Sequence, residues 1–232
     1  MGKKLVIVGD GEYAEIAYEY FTNDSPYEVK AFSVEKEFLK ERELFGLPVV
    51  PFEALEEFYS PDKYKIFVAI TYTQLNRLRT RLYHESKKKG FSLVSYVSSN
   101  AFLSSSAKIG ENCFIEENCS IQYNVEVGNN VFVGCNSTIG HSSLIKENCF
   151  ISANVGIPGM SQIGKNCFIG INSCMMDNLK VANDCIIGAG AVIIKDTEKE
   201  KVYVGNPARP LEKNSLDAVF WRNTKNEIEY GK

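Results

Sequence analysis

The sequence predicts an α/β layer over residues 1–97, then a parallel β-helix over 98–211 and a short tail over 212–232. Three observations predict it. The first third alternates short apolar runs with helix-spaced stretches. From residue 103 an aliphatic or Met recurs every six residues. An Asn column runs beside it with the same period.

In the first third, Lys4–Val8 is a continuous apolar run, as a strand covered on both faces requires. Gly9 and Gly11 mark a tight turn, and from Tyr13 the residues Ala14, Ile16, Ala17, Tyr20 and Phe21 fall at helical spacing. Further strands are expected at Tyr27–Phe32, Lys65–Ile70 and Phe91–Tyr96, with a short helix at Pro51–Tyr59 and a longer one at Thr73–Lys89. Gly9, Asp10 and Gly11 follow a strand and open a helix, the setting of a phosphate-facing turn. Geometry alone also places glycines at such turns. Glu35 stands loosely where a dinucleotide fold puts its ribose-binding acid. His84 falls on the polar end of the longer helix and reads as a solvated side chain.

The repeat is strict. Leu103, Ile109, Ile115, Ile121, Val127, Val133, Ile139, Ile145, Ile151, Ile157, Ile163, Ile169, Met175, Val181, Ile187 and Ile193 follow without a slip. Neither helix nor simple strand alternation produces that period. Short strands wound three hexads to a coil do. Two residues before each aliphatic lies a small one, so Cys113, Val131, Cys149, Cys167 and Cys185, each 18 from the next, stack in one inward column. Buried free cysteines behave as small hydrophobes, and no metal or redox role is expected of them. The Asn column runs from Asn100 through Asn154 to Asn178, then Asp184 and Gly190. It marks corners, where left-handed backbone favours Asn, Asp and Gly. Asn154, attractive as a substrate-binding amide, is first a corner residue.

Composition bounds the partners. The chain has 232 residues, a net charge of −3, seven cysteines and two histidines. No basic stripe argues for nucleic acid, and no apolar run approaches the ~20 residues of a membrane span. Lys3 and Lys4 precede only Leu5–Val8, too short for a signal peptide, and the residues after Gly2 do not form a myristoylation site. A cytoplasmic location with free thiols is expected.

The hexads of the type "IGKNCFIG" resemble the hexapeptide-repeat acyltransferases. With "VIVGDGEYAEI" at the start and "VYVGNPARPL" at the end, residues 2–211 resemble the sialic-acid and bacillosamine-type sugar acetyltransferases. That resemblance implies a Rossmann-like nucleotide-sugar-binding domain joined to a left-handed β-helix. It implies acetyl-CoA as co-substrate and homotrimers with the two substrates meeting between subunits. It also places the family's histidine base at His141 and its glycine amide at Gly159. By position its pantetheine contacts fall at Ile171 and Ala189, with Gly170 and Gly188 beside them, and Arg209 or Lys201 lies where phosphates are met.

The chemistry of the residues agrees. Acyl transfer from a thioester needs a base and a donor for the developing oxyanion. Histidine titrates near neutrality. An 18-residue shift stacks His141 between Tyr123 and Gly159, with Asp177 one coil further, about 10 Å from His141 at ~4.8 Å per coil. Where relatives place an acid after the base and a second histidine nine residues on, this chain has Ser142 and Phe150. The expected activity is N-acetylation of a nucleotide-linked amino sugar. Sugar O-acetylation and a non-catalytic nucleotide-sugar-binding trimer are the alternatives. A β-helix carbonic anhydrase needs three histidines per zinc, and only His84 and His141 exist. A dehydrogenase leaves 90 residues of hexads unexplained.

Overall fold

The computed structural model describes residues 2–218. The tail's Trp221 and most of its segment lie outside them. The amino-terminal sheet has the order β3-β4-β2-β1-β5, with β1 Lys3–Val8, β2 Tyr27–Val34, β3 Glu43–Leu44, β4 Leu47–Pro51 and β5 Tyr64–Val68. All pairs are parallel except β3 with β4. Helix α1 spans Glu12–Asn23, the single turn α2 Leu55–Phe58, and α3 Arg77–Lys88. The apolar run of β1 is buried on both faces, as a central parallel strand must be.

Two expectations are corrected here. Phe91–Tyr96 is not a fourth sheet strand: Leu93 makes one isolated bridge to Ile66, and Tyr96–Val97 leaves to start the β-helix. The long helix begins at Arg77 rather than Thr73, because Gln74, Leu75 and Asn76 all hold left-handed backbone angles. The pair β3 and β4 was not foreseen, being short and carrying Pro48 and Pro51.

From Tyr96 the chain winds as a left-handed parallel β-helix, three two-residue strands per coil. Successive coils pair at 18 residues, as in Ser120 with Thr138 and Ile121 with Ile139. Three faces result. The first carries Phe102, Ser120, Thr138, Gly156, Cys174 and Val192 outward, and the second Lys108, Glu126, Leu144, Gln162 and Lys180. The third carries Tyr96, Phe114, Phe132, Phe150, Phe168 and Ile186. The inward column of Cys113, Val131, Cys149, Cys167 and Cys185 is buried with the hexad aliphatics. Left-handed corners begin at Asn112, not Asn100, and recur every six residues to Gly190.

The third face joins the two layers. Phe114, Phe132, Phe150 and Phe168 stack ring on ring along it. Tyr13 of α1 meets Phe114 and Phe132 edge-on, and Tyr72 meets Phe150 and Phe168. Buried Arg79 of α3 donates to the carbonyls of Asn130 and Cys149, 2.9 Å each. Asn112 accepts from Val68 N–H at 2.7 Å, and its own amide bonds Asn130. The α/β layer is thus seated on the third face and touches both edges that border it, Lys87 pairing with Glu111 at one and Tyr20 O–H donating to Glu117 at the other, 2.9 Å, while among the described residues the first face and the edge that carries His141 show no such bond.

Candidate active site

His141 stands on the edge between the first and second faces. The coil ladder fixes its neighbours: Ser142 N–H donates to Tyr123 O at 2.8 Å, Met160 N–H to His141 O at 2.8 Å, and Asn178 N–H to Gly159 O at 3.2 Å. Tyr123, His141, Gly159 and Asp177 therefore occupy the same corner position of successive coils. The imidazole lies flat against Gly159. A Cβ built there would meet His141 Nε2 at 2.6 Å and Cε1 at 2.7 Å, so no other residue admits the ring in this pose. His141, Tyr123 and Asp177 are exposed, Tyr123 by 67%. Among the described residues nothing hydrogen-bonds the imidazole, Ser142 included.

The backbone departs from pattern at this edge. Corner positions elsewhere between residues 112 and 190 are Asn, Asp or Gly; at 142 and 160 they are Ser142 and Met160, with φ of 56° and 57°. A left-handed residue other than Gly costs about 1–2 kcal/mol, least for Asn and Asp. Such outliers gather at functional sites. Both directly follow the residues in question, His141 and Gly159. The N–H of Gly159 has no acceptor among the described residues, while the amides of Ser142 and Met160 are spent in the ladder.

The other expected residues divide between two places. Asn154, Ile171 and Ala189 lie on the edge between the third and first faces, across the first face from His141. One chain does not bring them to the imidazole. Asn154 has the left-handed φ of a corner, 56°, and an exposed side chain. Ile171 and Ala189 are exposed. A Cβ at Gly170 would fall 2.6 Å from Ala189 N, and one at Gly188 would strike Val204. Arg209 is exposed on the last strand pair and donates only to Ala208 O, 3.2 Å. Lys201 opens the strand that pairs with it.

Gly9, Asp10 and Gly11 sit at the carboxyl end of β1 beside β5, the crevice where such sheets take ligands. Gly9 has φ 129°, and a Cβ there would lie 2.6 Å from Ala69 O, so the turn itself requires glycine. Glu12 and Glu15 occupy the first turn of α1, and burial pushes the Asp10 carboxyl above its ordinary range, against the pull of Lys40. With Asp10, Glu12 and Glu15 gathered at the helix start and the Gly9 N–H already donated to Ser33 O at 2.8 Å, the turn suits hydroxyl or amino groups better than a bare phosphate. Glu35 is held in a two-point pair by Arg81, 2.9 and 2.8 Å, a partner 46 residues away. His84 lines a recess of about 710 Å³ between α3 and the second face, remote from the His141 edge. The lysines there are spent, Lys87 on Glu111 and Lys108 on Glu126.

Two residues beside the site escaped the sequence reading. Gln122 Oε1 accepts from His141 N–H at 3.1 Å, and Gly140 lies under Gly159. The signal, a side chain covering the corner amide 19 residues later, is invisible until the coil is built. Among the described residues no group of three or more His, Cys, Asp or Glu is placed to hold a metal, and no helix is long and apolar enough to cross a membrane.

The family model of the bacterial transferase hexapeptide (six repeats) matches residues 106–141, 124–159 and 160–195. No curated protein matches the chain by sequence. Among solved structures, the acetyltransferase domain of PglB from Neisseria gonorrhoeae FA1090 is similar at 26% identity and a TM-score of 0.81, over 90% of this chain and 100% of that one. The same domain in complex with acetyl coenzyme A is similar to the same degree over 91% and 100%. A mutant of perosamine N-acetyltransferase from Caulobacter crescentus, in complex with CoA and GDP-perosamine, has 23% identity and a TM-score of 0.81 over 90% and 97%. WeeI from Acinetobacter baumannii AYE has 21% identity and a TM-score of 0.76 over 89% and 99%. These last two likenesses speak to the fold alone.

Proposed function

We propose, from the premise that this chain belongs to the hexapeptide-repeat sugar acetyltransferases, that it moves an acetyl group from acetyl-CoA to the amino group of a nucleotide-linked amino sugar. The observation that carries the reading is the imidazole of His141 lying on the bare backbone of Gly159, beside an N–H with no acceptor among the described residues. His141 takes the amine proton as nitrogen attacks the thioester carbonyl. The C–N bond forms, and the oxygen that gains charge meets the Gly159 N–H. The C–S bond breaks, and the imidazolium returns its proton to the departing thiolate. One base suffices for an amine, and the described part of this edge holds one histidine. Such a base is typically worth ~10²–10⁴-fold.

Acetyl-CoA is supported by the likeness to a domain solved with that molecule and by the far edge. There Ile171 offers exposed apolar surface, and Gly170 leaves the Ala189 amide uncovered. These groups and His141 stand on opposite margins of the first face. A homotrimer pairing the His141 edge of one copy with the Ile171 edge of the next completes the site. Residues 1–97 hold the nucleotide-linked sugar, with the acidic Gly9–Gly11 turn at its crevice.

The test is acetyl transfer by the full chain, read as free thiol release and as acetylated product by mass. Nucleotide-linked amino sugars are compared with their hydroxyl counterparts. Release with the amine acceptors alone is expected. Transfer only to hydroxyls moves the reading to O-acetylation, and CoA binding with no turnover on any acceptor refutes it.

A further inference from the structure

We infer that Gly140 is a positioning residue of this site: by lacking a side chain it keeps the Gly159 N–H vacant for the oxyanion. The inference rests on the acetyl-transfer reading above and deepens it.

The coil geometry supplies a rule. The residue preceding each corner lies directly under the corner amide 19 residues later. Where it carries a long acceptor, Glu or Gln, that acceptor covers the amide; the short hydroxyl of Ser152 does not take up the Ile171 N–H. Glu116 Oε2 accepts from Cys135 N–H at 2.9 Å, and Gln122 Oε1 accepts from His141 N–H at 3.1 Å. Gly140 occupies this place under Gly159, and a Cβ on it would fall against Gly159 N itself. With glycine there, no described residue accepts from the Gly159 N–H, and the buried Gly159 is covered by the imidazole of His141.

At Gly140 the coil is tight: a Cβ would press on Gly159 N and meet Pro158 C at 2.5 Å, so a side chain there displaces the Gly159 backbone. Elsewhere the same column holds Glu116, Gln122, Lys146, Ser152 and Met176, so other coils of this helix are open enough to take a side chain. Other glycines of the column, such as Gly134 under Ala153, also leave an amide without an acceptor among the described residues, but neither His84 nor His141 stands at that edge. At residues 140 and 159 two glycines adjoin. Gly159 admits the ring, and Gly140 frees the donor.

The closing experiment uses Gly140→Gln, which copies Gln122 one coil later. Its carboxamide is expected to cap Gly159 N–H. We expect kcat to fall by ~10²-fold or more, the loss typical of removing one oxyanion donor. The KM for acetyl-CoA stays near wild type, and the melting temperature falls equally in Gly140→Gln and Gly140→Met, because a Cβ in either meets the Gly159 backbone; the excess kcat loss in the Gln variant is what a merely structural lesion does not give. Gly140→Met, copied from Met176, adds bulk without a strong acceptor and falls by less than about tenfold. In the wild type, the Gly159 amide exchanges its hydrogen much faster than those of Met160 and Asn178, a readout that needs no variant. Three results overturn the inference: Gly140→Gln within about threefold of wild-type kcat, equal losses in the Gln and Met variants, or a slowly exchanging Gly159 amide. If the wild type transfers no acetyl group, the parent reading has failed. If it does, and His141→Ala does not, a fully active Gly140→Gln removes this inference alone.

Discussion

Replacing Phe114 with Ala tests how the two layers are held together. Phe114 is 1% exposed on the third face. Its ring centroid lies 4.7 Å from that of Tyr96, 5.5 Å from Tyr20 and Phe67, and 5.7 Å from Tyr13. Truncating a buried Phe costs about 3–5 kcal/mol, the transfer term plus the cavity. Each aromatic pair is worth ~0.5–1.5 kcal/mol beyond area, but these pairs share one ring and do not add freely. About 4 kcal/mol is therefore expected. At ~2–4 °C per kcal/mol for a chain of this size, the melting temperature falls by roughly 8–16 °C. The assay is thermal unfolding by circular dichroism at fixed protein concentration, since assembly adds to apparent stability. Lys108→Ala is the comparison. That side chain is 73% exposed in a surface pair with Glu126, worth at most about 1 kcal/mol. A shift below about 3 °C in Phe114→Ala refutes the reasoning, because the stacked rings then do not secure the α/β layer.

Two further predictions follow from burial. Burial raises the Glu116 carboxyl above its ordinary range, against the Cys135 N–H that stabilises the anion, and nearby Glu117 raises it further. A raised acid costs stability once pH climbs through its folded value, and costs nothing below the unfolded one. Glu116→Gln, which keeps an acceptor for Cys135, should raise the melting temperature at about pH 7 and leave it unchanged near pH 4; equal shifts at both contradict this. The inward cysteines Cys113, Cys149, Cys167 and Cys185 should resist alkylation until the protein unfolds, since all are buried and the Cys113 thiol is pushed up to about 11. Mass mapping of native and denatured samples checks it, and labelling of any of the four in native protein counts against the packing.

The repeat was legible because each coil makes the same demands every six residues. Ile139, Ile145 and Ile151 had to face inward, and Asn136, Asn148 and Asn154 had to turn corners. The candidate site was legible as a departure from that lattice, and the stacking of His141 on Gly159 at 18 residues is what the coil geometry gives. What one sequence hides is the partner far away in it. Glu35 reads as a ribose acid until Arg81 is seen holding it. Nothing in the sequence marks Phe114, Phe132, Phe150 and Phe168 as the seat of the α/β layer until the layer is packed on them. Ser142, a puzzle where an acid was expected, is a left-handed corner whose N–H is committed to Tyr123 O. Gln122 and Gly140 act through a 19-residue step that no helix or strand period suggests.

The central claim is that His141 is the base for acetyl transfer. The direct measurement is kcat of His141→Ala against wild type, with acetyl-CoA and a nucleotide-linked amino sugar. The ring is exposed and bonded by no side chain among the described residues, so its loss leaves the fold intact. The account predicts a fall of ~10²–10⁴-fold with unchanged melting. Near-wild-type turnover contradicts it.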